Sequence, residues 1–256
     1  MAIRCAEKAE RVVMSYQTQF FPEIRFGGFS HVDGTVNFFT RVNALLESDS
    51  VVLDVGCGRG CYADDPVKAR RELRILRGKN RSVIGIDVDP AARLNPAIDE
   101  CRLIESAHWP VEDESADLCL CDHVVEHIAD PESFFAECRR VLRPNGFLCI
   151  RTPNAFGYVA IAARMVPNGL HGRVLRVVQD AREDKDVFPT VYRCNTRRKL
   201  RNILARNGFD SAVFTYDGEP YYLSFSKLAY RLGVTHQRYS IPCARNAIFA
   251  FAQKRT

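Results

Sequence analysis

The run Val51-Val52-Leu53-Asp54-Val55-Gly56-Cys57-Gly58-Arg59-Gly60 constrains this chain more than any other stretch of it. Five residues, apolar except for one acid, have the length and composition of a buried strand, and the run then breaks into glycines at alternate positions. Glycine loses more backbone freedom on folding than other residues, so three in such a pattern mark a tight turn that lets a ligand approach the peptide groups closely. The ligand is expected at the carboxyl end of the strand.

Downstream, apolar runs and helical patterns alternate. Strands are expected at 51–55, 82–86, 101–104, 117–121, 147–151, 211–216 and 246–252, with helices near 66–76, 131–142, 197–207 and 222–232. This order predicts an α/β fold: a Rossmann-like, seven-stranded, mostly parallel sheet with right-handed crossovers and helices on both faces. Residues 1–50 read as an N-terminal helical cap, with helices near 6–19 and 36–46 and a phenylalanine cluster around Gly27-Gly28. Residues 51–153 form the ligand-binding core. Residues 154–195 read as a helical lid insertion, apolar first and charged later, and 196–256 complete the sheet of a single domain. Thr196 is placed to cap the helix that follows it, and Gly208 to end that helix.

The strand after the glycine turn closes on Asp87, which sits beside the loop across the sheet and is positioned to accept hydrogen bonds from both hydroxyls of a ribose. A solvated strand-end carboxylate is the plainer role for the same residue. The glycine spacing separates cofactor classes. Dinucleotide sites use Gly-x-Gly-x-x-Gly with a helix opening at once on the pyrophosphate. Here the pattern is Gly56-x-Gly58-x-Gly60, Cys61 stands where the third dinucleotide glycine would fall, and Asp64-Asp65 would repel phosphate. A nucleoside without phosphate, carrying a cationic sulfonium and an amino-acid tail, meets these demands. Asp54 lies under the loop where an ammonium group would sit, though an acid that only caps the turn would occupy the same place.

Four ordered segments carry a family resemblance: Val51 to Gly60, then Ile84-Gly-Ile-Asp-Val-Asp-Pro90, then Asp117 to Ile128, then Arg140 to Asn154. Together they resemble the class I S-adenosylmethionine-dependent methyltransferases over roughly residues 50–154. The resemblance implies S-adenosyl-L-methionine as cofactor. It implies contacts from Asp54, Gly56, Cys57 and Gly58 to the methionine part, from Asp87 to the ribose and from Val88 to the adenine. Glu105 and Ser106 fall where the family has an acid and a small residue near the adenine amino group, with Glu in place of the commoner Asp. Cys121 and Asp122 would bring a backbone carbonyl to the methionine ammonium.

Methyl transfer from a sulfonium mainly asks the protein to orient two reactants and exclude water. A hydroxyl acceptor also needs a base. His123, just past the fourth strand, is the first candidate, His127 the second and His31 in the cap a weaker third. The segment His123-Val-Val-Glu126-His127 also matches the zinc peptidase pattern His-x-x-Glu-His, but its place within the methyltransferase order argues against that chemistry. It is similar, too, to the Glu-x-x-Glu-His of quinone-biosynthesis O-methyltransferases that can hold a divalent ion. His123 replaces the first Glu, which would favour a transition metal over magnesium if any bound. No metal is assigned.

Acceptor choice belongs to the parts outside the shared core. The expected acceptor is a small molecule such as a sugar, a lipid-like compound or a natural-product intermediate, with O-methylation preferred. A formal charge of +5 does not demand nucleic acid, and no base-pocket motif follows strand four. Arg193, Arg197, Arg198, Lys199, Arg201 and Arg206 form an acid-free run that fits a solvated helix face or contact with a phosphate on a substrate or RNA. An RNA or protein methyltransferase and a non-catalytic cofactor-binding scaffold are the alternatives. Ten cysteines, several within apolar strands, and no secretory signal point to a reducing, cytoplasmic setting. No uncharged apolar run approaches the roughly 20 residues of a membrane span.

Overall fold

The computed structural model describes residues 16–165 and 189–256. Seven strands, β1 (Val51–Val55), β2 (Ser82–Asp87), β3 (Glu100–Leu103), β4 (Ala116–Asp122), β5 (Leu142–Pro153), β6 (Phe209–Tyr216) and β7 (Ala247–Lys254), form one sheet in the order β3-β2-β1-β4-β5-β7-β6. All adjacent pairs are parallel except those of β7, which is antiparallel to both β5 and β6. The chain therefore brings the carboxyl ends of β1, β2, β4, β5 and β6 to one edge. The expected α/β architecture and strand count hold.

Side chains alternate across the pleat, and each face has its own partners. Val52, Leu118, Leu120, Cys149 and Phe249 pack with Phe38, Phe39 and Val42 of α1 (Gly34–Ala44). Leu53, Cys119, Leu148 and Ile150 face the other way, toward Phe135 and Cys138 of α3 (Pro131–Val141) and Leu200 and Leu204 of α5 (Arg197–Arg206). Burial on both faces explains why β1 reads as a nearly unbroken apolar run. Between β1 and β2 lies α2 (Lys68–Arg74), and after β5 comes α4 (Tyr158–Met165).

Local chemistry sets the helix ends. Asp33 caps α1 by accepting from the Thr35 and Val36 amides, Asp130 caps α3 through the Ser133 amide, and Thr196 caps α5 through the Lys199 amide. Gly208 follows α5 with φ of +74°.

Several expected boundaries move. The helix expected at 66–76 is shorter. β5 begins at Leu142, where Leu142 pairs with Ala116 before a register shift, and Asn145 at φ of +64° carries the Arg-Pro-Asn-Gly segment within the strand. The helix expected at 222–232 is α6 (Lys227–Tyr239), preceded by a single turn at Tyr221–Leu223. Its phase is set by Tyr230 and Val234, which face Phe21 and Ile24 of the N-terminal segment, and by Gly233, which lies against Pro220 and Leu223. Leu228 and Leu232 point to solvent. Residues 16–20 are helical, as expected for the cap, and 22–25 form a short turn of 3-10 helix. The rest of the helix expected at 6–19 and lid residues 166–188 lie outside the described residues. No helix among the described residues is long and apolar enough to cross a membrane.

Candidate active site

The glycine loop leaves β1 at the centre of the carboxyl edge. Gly56 has φ of +66°, and a Cβ there would meet Val124 Cγ2 at 2.7 Å, so this glycine is required by close packing against the exit of β4. Gly58 also has positive φ, +53°, but nothing lies within 4 Å of the Cβ it lacks. The first position packs against protein; the second presents bare backbone to open space, as a ligand cradle requires. Cys57 behaves differently from its neighbours. Its thiol turns inward against Gly85, its carbonyl accepts from Asn95 Nδ2 at 2.9 Å, and burial pushes its pKa up.

Asp87 ties this loop to β2. One carboxylate oxygen accepts from the Gly58 amide at 2.9 Å and the other from the Asp89 amide at 2.9 Å. Each carboxylate oxygen has more than one acceptor site, so capacity for two hydroxyls remains. Val88, the next residue, is 60% exposed, unusual for an aliphatic side chain at a strand end. Leu103 pairs with Asp87 and the Ile104 amide bonds to the Asp87 carbonyl, which brings the exit of β3 alongside. Glu105 and Ser106 follow there, exposed, with Ser106 Oγ donating to the His108 carbonyl at 2.9 Å.

Beneath the loop lies a buried charge cluster. Asp54, Asp122 and Arg151 occupy the same sheet face and are covered by α1 and α2. Asp122 is gripped by Arg151 through two contacts of 2.6 and 2.7 Å, with Arg74 Nη2 at 3.3 Å. Burial opposes its ionisation, but Arg151, His123 and Arg74 prevail and hold its pKa well below the usual carboxylate range. Asp54 has the opposite balance. Burial, then the charges of Asp122 and Asp87, outweigh Arg74 and push its pKa up to about 7. Arg74 stacks on Tyr62 at 4.5 Å and Phe39 at 5.6 Å, and its Nε is buried without a hydrogen-bond partner among the described residues. Arg151 reaches Thr35 at 2.9 Å and lies over Phe38 and Phe39.

His123 follows β4 with φ of +61°, an uncommon conformation for a residue other than glycine, fixed by its amide bonding to the Arg151 carbonyl at 2.8 Å. Its Nδ1 is 3.3 Å from Oε1 of Glu126, its Nε2 is 3.9 Å from Asp122, and its side chain is 43% exposed. Glu126 is buried, accepts from Thr152 Oγ1 at 2.9 Å, and is backed by Asn195 on that hydroxyl at 2.6 Å. Burial works against the Glu126 charge and His123 restores it, leaving the pKa lowered. His127 points its Nδ1 at the Pro189 carbonyl, 3.0 Å away, and His31 pairs with Glu23 at the surface. Among the described residues no three His, Cys, Asp or Glu side chains converge as a metal site.

Asp54, Gly56, Gly58, Asp87, Val88, Cys121, Asp122 and His123 thus gather at one edge. Arg74, Arg151, Tyr62 and Asn95 join them without having been picked out from the sequence. Arg151 carried a signal, a lone arginine in the otherwise buried run Leu148-Cys-Ile-Arg-Thr152; Arg74, among several arginines of α2, carried none. The cationic run of α5 is partly spent on structure: Arg197 donates to the Val213 carbonyl and Arg206 pairs with Glu132.

Residues 53–150 match a family model described as a methyltransferase domain. The chain is 36% identical over 108 residues to a probable S-adenosylmethionine-dependent methyltransferase of Mycolicibacterium smegmatis, a match covering 40% of this chain and 38% of that protein. It is 33% identical over 138 residues to a ubiquinone biosynthesis O-methyltransferase of Acinetobacter baylyi, covering 47% and 54%. The matches span about half or less of these relatives' lengths. The fold is similar to the crystal structure of a SAM-dependent methyltransferase from Archaeoglobus fulgidus, with TM-score 0.55, 18% identity and coverage of 91% of this chain and 97% of that one.

Proposed function

Through residues 53–150 the chain belongs to the class I S-adenosylmethionine-dependent methyltransferases, and from that we propose that it methylates a hydroxyl of a small-molecule acceptor, with His123 as base. The observation that carries the cofactor half of this reading is the pairing of an open Gly58 with a buried Asp54 pushed up to about 7. A carboxyl group that burial and like charges hold partly neutral gains most from a cation placed beside it. An ammonium group next to the buried Asp54, ribose hydroxyls on Asp87 and an adenine face on the exposed Val88 would use the three groups gathered at this edge. When bound, the cofactor supplies an electrophilic methyl group.

The chain's own part is orientation and proton transfer. The Asp122–Arg151 pair fixes the exit of β4, so the Cys121–Asp122 backbone is held rigid beside the loop. Glu126 orients His123 through Nδ1, 3.3 Å from its carboxylate, leaving Nε2 to take the proton of an acceptor hydroxyl as the new bond to oxygen forms. The ubiquinone biosynthesis relatives are named O-methyltransferases, which supports an oxygen acceptor here.

The test is incubation with methyl-labelled cofactor and cell extracts fractionated as lipid, sugar, RNA and protein. Label in a low-molecular-weight lipid or sugar fraction, base-labile or ether-linked, is expected. Label confined to RNA or protein overturns the acceptor class. Asp87→Ala should abolish cofactor binding by calorimetry, and near-normal affinity would overturn the placement of the ribose.

A further inference from the structure

We propose that α6 seats the protein on an anionic lipid bilayer surface, a role independent of the acceptor reading above. The helix is apolar on two sides. Tyr230 and Val234 face the N-terminal segment, as a surface helix of a globular protein should. At 100° per residue, Leu228, Leu232 and Tyr239 fall within about 40° of one another on the opposite side. They are 68%, 62% and 79% exposed. Phe225 before the helix and Ile241 after it extend the patch, at 63% and 64% exposed. An outward stripe of this size is not needed for folding and exceeds the scattered apolar residues of an ordinary surface.

Charge selects the occupant. Lys227, Arg231 and Arg238, all exposed, lie within about 40° of one another along one flank of the stripe. From residue 220 through α6 to residue 245 there are four Lys and Arg and no Asp or Glu. An apolar stripe bordered by cations without acids matches a helix that sinks its apolar face to the acyl boundary while its cations meet anionic headgroups. A second copy packed stripe to stripe about a two-fold axis would bring the same three cations toward their equivalents, with no acid on α6 to offset them. The helix lies at the functional edge of the sheet: Asp217, the residue after parallel β6, contacts His236 of α6 at 2.9 Å, and Tyr158 of α4 packs edge-on to that ring. A bilayer under α6 would therefore lie beside the crevice.

The experiment is sedimentation of the purified chain with phosphatidylcholine vesicles, with and without phosphatidylglycerol. Binding to the anionic vesicles is expected, weaker on pure phosphatidylcholine by roughly a hundredfold for three headgroup-facing cations, and reduced by salt. Leu228→Ser with Leu232→Ser should reduce binding to anionic vesicles at least about tenfold. Lys227→Glu with Arg231→Glu should remove the preference for anionic lipid. All four side chains are outside the core, and an unchanged circular dichroism spectrum and melting temperature show that each variant is folded. Absence of binding to anionic vesicles overturns the proposal, as does equal binding by the leucine variant. A dimer that the leucine variant dissolves, with no vesicle binding, overturns it in favour of a second copy.

Discussion

Replacing Asp54 with asparagine is expected to make the cofactor-free protein more stable above neutrality while weakening cofactor binding. The Asp54 carboxyl is pushed from 3.8 up to about 7 by burial first, then by Asp122 and Asp87. The sign follows from proton counting. Between these two values the folded protein holds a proton that the unfolded chain has released, so stability is greatest below the lower value and falls as pH rises toward the upper. At about 1.4 kcal/mol per unit, the whole shift corresponds to about 4 kcal/mol, of which roughly 3 lies between pH 5 and pH 7. Urea unfolding of wild type and Asp54→Asn at pH 5 and pH 8 measures the difference directly. The variant should gain up to about 3 kcal/mol on wild type across that interval. Parallel pH dependences would refute the account of Asp54 as a strained, buried acid. A second measurement isolates the cofactor. If an ammonium group lands beside Asp54, binding near pH 6.5 should release a proton, seen as a dependence of the calorimetric heat on buffer ionisation enthalpy. Wild-type binding without proton release, alongside diverging stability curves, would keep the buried acid and dismiss its role in the cofactor site.

Three further outcomes are expected. Arg151→Ala leaves Asp122 buried with only Arg74 and His123 nearby, and urea unfolding should show a loss of about 3–5 kcal/mol; a loss below about 1 would mean that the pair is worth no more than a surface bridge. Gly56→Ala places a methyl group against Val124 at positive φ, so it should reduce stability by about 1–3 kcal/mol, and Val124→Ala should recover part of that in the double variant. His123→Asn, chosen because asparagine tolerates the left-handed conformation of this position, should slow turnover about a hundredfold or more and leave the cofactor dissociation constant within about twofold. Equal losses in binding and turnover would reassign His123 to a structural role.

Much of the core was legible because the features that build it are local. A five-residue strand buried on both faces is apolar except where Asp54 serves the site, and only glycine fits where Gly56 meets Val124. Thr196 holds the cap position that its place before the helix predicts. What periodicity could not orient was α6. It has two apolar stripes, and the rule that an apolar stripe faces the core cannot say which one does; the choice is made by Phe21 and Ile24, two hundred residues earlier in the chain. Arg74 was hidden for a related reason. Its significance lies in a contact with Asp122, across a sheet and a helix, and the four other arginines within ten residues look the same in sequence.

The buried charges explain one another once Arg74 and Arg151 are included. Two acids under a glycine loop would repel if both ionised, and the arginines are unequally shared: Asp122 receives two contacts from Arg151 and one from Arg74, whereas Asp54 receives only the field of Arg74. The folded protein thus keeps one acid fully charged, pinning the exit of β4 in place, and leaves the other close to half-protonated at neutral pH. A structural cluster alone would gain by pairing both acids or replacing one with an apolar residue. An acid left short of one positive charge at the mouth of an open glycine turn is instead what a site for a cationic amino group requires, and Asp54→Asn tests that difference because it should improve the fold and impair the binding together.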